Sequence, residues 1–255
     1  MAQNGEQIEV YLEVAQKRTF AVALDWPGWC RSGRDEAAAL QALWAYGPRY
    51  ARLLESTGLG FVAPAEVVDM KVVERLEGNA TTSFGAPALA LARDAQPVEP
   101  EELERWQVCL QAIWRALDAA VLAAQGKVLS TGPRGGGRAL EKIVAQVCEG
   151  DLGYLGALGS KPELSAPQDA EQALAQIRQA ILSGLGAAVR GELPTTWPRG
   201  GARWTARYFV RRLAWHELDH VWEIEDRAGS STAGRESGGL PLRPLEGRNS
   251  SQSSE

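Results

Sequence analysis

The stretch Thr205–Arg227, TARYFVRRLAWHELDHVWEIEDR, decides the fold. Its apolar residues recur at steps of three and four, which predicts a helix that is buried along its length. It also holds both histidines of the 255-residue chain, His216 and His220. Four positions apart on a helix, two imidazoles project from one face and can bind one metal ion. The stretch therefore predicts a core helix that carries a candidate metal site.

A second apolar stripe runs around the same helix, away from the histidines. A helix with two apolar faces must be covered on two sides. Partner helices would cover one side, and either the N-terminal part of the chain or a second copy of it would cover the other. A homodimer is therefore one of two expectations for this stripe, which consists of Tyr208, Trp215, Leu218 and Trp222.

Three more helices are predicted before this one. Four helices joined by short or moderate loops favour an antiparallel four-helix bundle over residues 98–228. The second helix of this bundle carries Asp151 on its apolar stripe, where a carboxylate is costly unless it is paired or bound to something. The three helices are predicted at Glu101–Gln125, Arg138–Leu158 and Asp169–Gly191.

The N-terminal part reads as a small sheet followed by a helix. Alternating apolar residues in Ile8–Val14 and Thr19–Leu24 predict a β-hairpin, and Cys30–Ser32 adds a short third strand. Asp35 is a suitable N-cap for the helix that follows, and Pro48 is expected to kink or divide that helix. The fold class is therefore α+β, with a small sheet and helix packed beside the bundle.

The rest of the chain connects or flanks these parts. Val67–Leu76 reads as a strand, and the Gly78-Asn79 turn could return the chain as a second strand at Thr81–Phe84. The glycine-rich segment 133–137 lacks the lysine of a phosphate loop and is predicted to be a flexible linker. The predicted organisation is a β-β-β-α module at 1–56, a connecting segment with a β-hairpin at 57–97, the bundle at 98–228 and a disordered tail at 229–255.

Composition excludes several classes of partner. The net charge is −5, and the densest basic group is Arg207, Arg211 and Arg212, so the sequence predicts no nucleic-acid binding. No apolar run approaches the roughly 20 residues that span a bilayer, and no signal pattern begins the chain, which predicts a cytoplasmic protein without membrane contact. The three cysteines are scattered and are expected to be reduced thiols.

Two resemblances to known families follow from these motifs. The segment Leu24–Leu43, LDWPGWCRSGRDEAAALQAL, resembles the turn and helix start of HicB-like modules, and the likeness covers about residues 6–55. In antitoxins of that family the module binds a toxin nuclease. Residues 98–228 resemble the DinB-like superfamily of metalloenzymes, through RRLAWHELDHVWEIEDR at Arg211–Arg227 and the helix segment Ile143–Tyr154.

The DinB-like resemblance implies a metal site. In that family a histidine on the second helix joins the His-x-x-x-His pair on the fourth to hold zinc or nickel, with open positions for water or a thiol substrate. This chain has Gln146 where the second-helix histidine is expected. Because an amide oxygen is a poor zinc ligand, two histidines hold a metal loosely unless a further ligand completes the site. That third ligand would be Asp151, favoured by its apolar setting, or Gln146 itself, and Cys148 and Glu223 are further candidates. Alternatively, Gln146 hydrogen-bonds one of the histidines and the site holds no metal.

The sequence thus favours a metal-dependent hydrolase or thiol-dependent transferase that acts on a small molecule. The alternative is a regulatory protein without catalysis that binds a small molecule or a protein through tryptophan-rich surfaces. His216–His220 also fits the His-Glu-x-x-His pattern of zinc proteases, in which Glu217 would be the general base. No third histidine exists, so this is a remote alternative.

Overall fold

A four-stranded sheet forms the N-terminal part of the protein in the computed structural model, which describes residues 7–131, 137–167 and 169–233. The strand order is β3-β2-β1-β4. The predicted hairpin and third strand are confirmed, since β1 pairs antiparallel with β2 and β2 antiparallel with β3. The strands are β1 (Ile8–Val14), β2 (Thr19–Ala23), β3 (Cys30–Gly33) and β4 (Met70–Glu77).

The predicted second hairpin is wrong. Strand β4 pairs parallel with β1, and the chain then enters a short helix, α2 (Ala80–Phe84), instead of a returning strand. The reason is local: the Asn79 side chain accepts hydrogen bonds from the backbone N–H groups of Thr81 and Thr82, at 2.8 and 3.2 Å. An asparagine followed by threonines can end a strand or begin a helix, and here it caps a helix.

Helix α1 (Glu36–Leu54) covers one face of the sheet. Asp35 caps it as predicted, accepting from the backbone N–H of Ala38 at 2.7 Å. Pro48 does not divide it, because the helix continues without interruption to Leu54. Leu43 and Tyr50 are fully buried beneath it and join the same core as the helices that follow.

The second half of the protein consists of four longer helices that pack on one another. Helix α6 contacts α3, α4 and α5, and α4 also packs along α5. Helix α6 extends five residues into the predicted tail, to Ala233, and the rest of the tail and most of the predicted linker lie outside the described residues. The four are α3 (Pro100–Ala124), α4 (Leu140–Leu158), α5 (Ala170–Val189) and α6 (Ala206–Ala233).

Helix α3 is the one described helix whose length and apolar composition would allow it to cross a membrane. The core helix of a globular protein passes the same test. Here Leu110, Ile113 and Leu117 on α3 are fully buried in the shared core, where α3 packs against α6.

The second apolar stripe of α6 is covered within the chain. Trp215 packs in a cluster with Tyr11 and Phe20 of the sheet, and Trp222 lies edge-on to Tyr46 of α1 with ring centroids 4.7 Å apart. At Gly28 the turn between β2 and β3 lies directly against α6. Its φ is +88°, and a side chain there would place a Cβ 2.9 Å from the carbonyl oxygen of Ala214. Sheet and helices therefore share one closely packed interface.

Candidate functional site

A cleft of about 930 Å³ opens between the sheet and the helices. One wall comes from β2, β3 and the end of α2, and the other from α4 and α6. Gln146, His216 and His220 all line it, so three of the four predicted metal-site residues share one cavity. Asp151, the fourth, is buried behind this surface and does not line the cleft.

The two imidazoles lie side by side with their ring centroids 4.9 Å apart. In His220, Nδ1 lies 3.0 Å from a carboxylate oxygen of Glu223. In His216, Nδ1 is buried and lies 3.7 Å from Oδ1 of Asp151, which is longer than a hydrogen bond. Neither Nε2 atom is hydrogen-bonded within the described part of the chain. Each Nδ1 thus faces a carboxyl group, but only that of His220 is hydrogen-bonded to it.

A chain of hydrogen bonds holds His220 in place. Glu223 accepts from the guanidinium of Arg227 at 2.7 Å as well as contacting His220, and these two contacts hold the pKa of Glu223 below its usual range, the His220 hydrogen bond being the larger cause. Arg227 donates in turn to the backbone carbonyls of Ser130 and Arg138, each at 2.8 Å. Both ends of the loop between α3 and α4 are thus fixed to α6 beside the cleft.

Close packing against α4 fixes the orientation of His216. A Cβ built on Gly150 would lie 2.4 Å from Cε1 of the imidazole, closer than real Cβ contacts allow. On the same helix, the Tyr154 ring packs edge-on against the imidazole, with the two ring centroids 5.3 Å apart. Burial, followed by the neighbouring charges of His220 and Arg212, lowers the pKa of His216 to about 3. The ring is neutral at physiological pH, the form in which it can bind a metal.

Two carboxyl groups are buried behind His216. Asp151 and Glu217 are each only 1% exposed and hydrogen-bond one another, and the indole N–H of Trp114 donates to Glu217 at 2.8 Å. Burial raises the pKa of Asp151 to about 8 and holds that of Glu217 well above its ordinary value. The pair therefore retains protons at neutral pH, because burial disfavours the charged form of each carboxyl group and, for Glu217, the neighbouring Asp151 adds to this.

The zinc-protease alternative requires Glu217 to reach a substrate. Glu217 instead packs against Trp114 in the protein interior and does not line the cleft. A general base must lie within hydrogen-bond reach of the group it deprotonates. The geometry therefore gives Glu217 no access to a peptide bond.

No family model, curated protein or solved structure matches the chain.

The donor atoms of the site can be compared with what a divalent metal requires. Within the described ranges, no three side chains of histidine, cysteine, aspartate or glutamate are placed to hold a metal. Of the other predicted third ligands, Cys148 lies half-buried away from the cleft and Glu223 bonds His220. The donors are thus two imidazole nitrogens, and the Gln146 amide lines the same cleft. This set fits a loosely bound cation with open coordination positions.

Sequence reasoning missed three residues that shape this site. Gly150 was detectable, since glycine in a helix interior costs about 1 kcal/mol relative to alanine and needs a packing reason. Arg212 lies one helical turn before His216 and lines the same cleft, so helical spacing alone could have placed it. Tyr154 was identified only as a core residue, because its contact with His216 depends on how α4 and α6 pack.

Proposed function

We propose that the protein is a metal-dependent enzyme of the DinB-like type, a hydrolase or thiol-dependent transferase that acts on a small molecule in the cleft. One observation carries this proposal: the two imidazoles lie side by side in the cleft, and Glu223 holds Nδ1 of His220 while both Nε2 atoms are unpartnered among the described residues. Histidines that bind metals have the arrangement of His220, in which the carboxyl partner fixes the ring and increases the basicity of the other nitrogen. Asp151, which lies behind His216 and does not line the cleft, would not bind the metal.

Each residue of the site would have a distinct role in binding the cation or the substrate. His216 and His220 would hold the cation, with the ring of His220 oriented by Glu223 and that of His216 by its packing on Gly150. A divalent cation bound there would supply Lewis acidity toward a polar group of the substrate. The Gln146 amide can donate or accept a hydrogen bond and would position the substrate from the same helical wall of the cleft. Tyr154 lines the cleft beside His216.

A metal-free binding protein is the second candidate. The observation that favours it is the incomplete ligand set, because two histidines without a third strong donor bind zinc weakly. The N-terminal order β1, β2, β3, α1 is similar to the one expected of a HicB-like module, which in antitoxins binds a protein. In this alternative the cleft would bind a ligand without catalysis, and replacing both histidines would leave ligand binding intact.

Metal analysis separates the two candidates. We expect the full chain, purified without chelator and then incubated with zinc or nickel, to retain about one ion per chain by mass spectrometry, since the site offers one pair of imidazoles. The His216→Ala, His220→Ala double variant should retain none. Equal metal content in the two proteins would refute the proposal.

Replacing Gln146 with histidine should strengthen metal binding. The substitution adds a third imidazole to the helical wall that carries His216 and His220, and we expect the zinc affinity to rise at least about 10-fold, which corresponds to about 1.4 kcal/mol. Titration with a competing zinc indicator would measure it. Gln111→His is the matched control, since it adds an imidazole on the exposed surface of α3. An equal gain in both variants would mean that the added histidine acts away from the cleft.

A further inference from the structure

The cleft wall carries more positive than negative charge. Of the five arginines and three acids that line it, each acid is already paired with an arginine. The remaining arginines, Arg18, Arg138 and Arg212, make no ion pair with any residue the structure describes. The acid pairs are Asp219 with Arg31 at 3.0 Å, Glu223 with Arg227 at 2.7 Å and Asp226 with Arg49 at 2.8 Å.

Arg212 is held rigidly without an anion. Its guanidinium lies over the Trp215 ring, 4.8 Å from the centroid, and donates to the carbonyl of Pro87 at 2.5 Å and the hydroxyl of Tyr154 at 3.4 Å. Its Nε is buried and unpartnered among the described residues. The side chain is half-buried, and removing even part of a cation from water without a counter-charge is costly. An anionic ligand at this position would offset that cost.

The position of Arg212 relates it to the proposed metal site. Arg212, His216 and His220 follow one another at four-residue steps, so each lies about one helical turn, roughly 6 Å, from the next. An anionic group on Arg212 would place the neighbouring atoms of the ligand beside the two imidazoles. Across the cleft, Arg18 contacts Ser32 at 3.3 Å and supplies a second cation.

The mouth of the cleft also has an unusual apolar feature. Phe84, the last residue of α2, lines the cleft with its side chain 82% exposed. An aromatic ring so exposed gains free energy when a ligand covers it. Phe20 and Trp215 continue the apolar surface into the cleft.

We propose that the cleft binds a small organic anion whose carboxylate or phosphate is held by Arg212, assisted by Arg18, with an apolar portion against Phe84 and Trp215. The planar guanidinium fork suits either anion, since both offer two oxygens at the matching spacing. The placement of the reacting bond beside His216 rests on the proposed metal-dependent function. The binding of the anion does not depend on metal.

Calorimetric titration of chelator-treated, metal-free full-length protein tests this proposal. Inorganic phosphate and benzoate are the two probes, and their relative affinities distinguish a phosphate site from a carboxylate site. We expect saturable binding of at least one probe and a loss of about 10-fold or more in Arg212→Gln. Arg18→Gln should show a smaller loss. Arg34→Gln, at a solvent-exposed side chain outside the cleft, should bind as wild type does.

The proposal is overturned if wild type binds neither probe saturably, or if Arg212→Gln binds as tightly as wild type. If circular dichroism shows that Arg212→Gln does not fold, Arg212→Lys is titrated in its place, because lysine keeps the charge but lacks the planar guanidinium. Its binding must then be weaker than that of wild type. Because all titrations are metal-free, lost anion binding leaves the metal proposal standing, and absent metal binding leaves the anion proposal standing.

Discussion

Replacing Gly150 with alanine should displace the His216 imidazole and weaken zinc binding by about 100-fold, the upper end of the effect expected when the support of a metal ligand is lost. The added Cβ would lie 2.4 Å from Cε1 of the ring, so the ring must move or α4 must separate from α6. Either response also strains the core, and overpacking typically costs about 1–3 kcal/mol of folding free energy. Competition titration with a zinc indicator and urea denaturation would measure the two effects.

Gly153→Ala is the matched control on the same helix. A Cβ at Gly153 meets no other atom within 4 Å, so the substitution only improves helix propensity. It should raise the free energy of unfolding by about 0.5–1 kcal/mol and leave zinc affinity unchanged. If Gly150→Ala behaves like Gly153→Ala in both measurements, His216 is not fixed by its packing on α4.

The second large effect concerns the pH dependence of stability. The Asp151→Asn, Glu217→Gln double variant should lose a slope that the wild type shows between about pH 6.5 and 8. Burial raises the pKa of Asp151 from 3.8 to about 8, so the folded state keeps a proton that the unfolded chain releases. The stabilisation is fully present below about pH 4 and is lost as the pH rises toward 8, by about 1.4 kcal/mol per pH unit.

Above about pH 6.5 the contribution of the carboxyl pair to the pH dependence of stability can be measured apart from that of His216. Burial lowers the pKa of His216 from 6.5 to about 3, so its neutral form stabilises the fold above pH 6.5 and that contribution is lost as the pH falls. Between about pH 6.5 and 8 the pair therefore acts without opposition from His216, and the wild type should lose about 2 kcal/mol for each proton that the pair retains. Urea denaturation of metal-free protein at several pH values would measure this loss.

The Trp114 hydrogen bond can survive in the double variant, because the glutamine amide oxygen is also an acceptor. A surface change, Glu36→Gln at the ion pair with Arg75, should keep the wild-type slope. If the free energy of unfolding changes with pH equally in the wild type and the double variant, Asp151 and Glu217 do not retain protons in the folded state.

Local patterns sufficed for the elements but not for every contact between them. Alternation in Ile8–Val14 and helical spacing in Thr205–Arg227 predicted their structures correctly, because each pattern repeats several times along its segment. The pairing of β4 with β1 escaped prediction, since parallel strands are joined by long connections that leave no turn signal. Thr81–Phe84 was too short to show either period.

The candidate site was predictable in part for the same reason. The spacing of His216 and His220 requires only one helix, and the structure brings Gln146 of α4 into the same cleft. The apolar stripe on α4 showed that Asp151 needed a partner, but not that this partner would be Glu217. That pairing depends on the rotation of α4 against α6, which Gly150 sets through its missing side chain.

The contact of Gly28 with Ala214 joins two parts of the chain that differ in secondary structure but form the cleft together. The cleft has one wall from the sheet and one from the long helices, so a fragment of either half would lose the cavity and expose its part of the common core. The helical fragment would also expose the aromatic surface of Trp215 and Trp222 to water. Any ligand of this cleft would therefore join the two halves, and its binding energy would resist their separation.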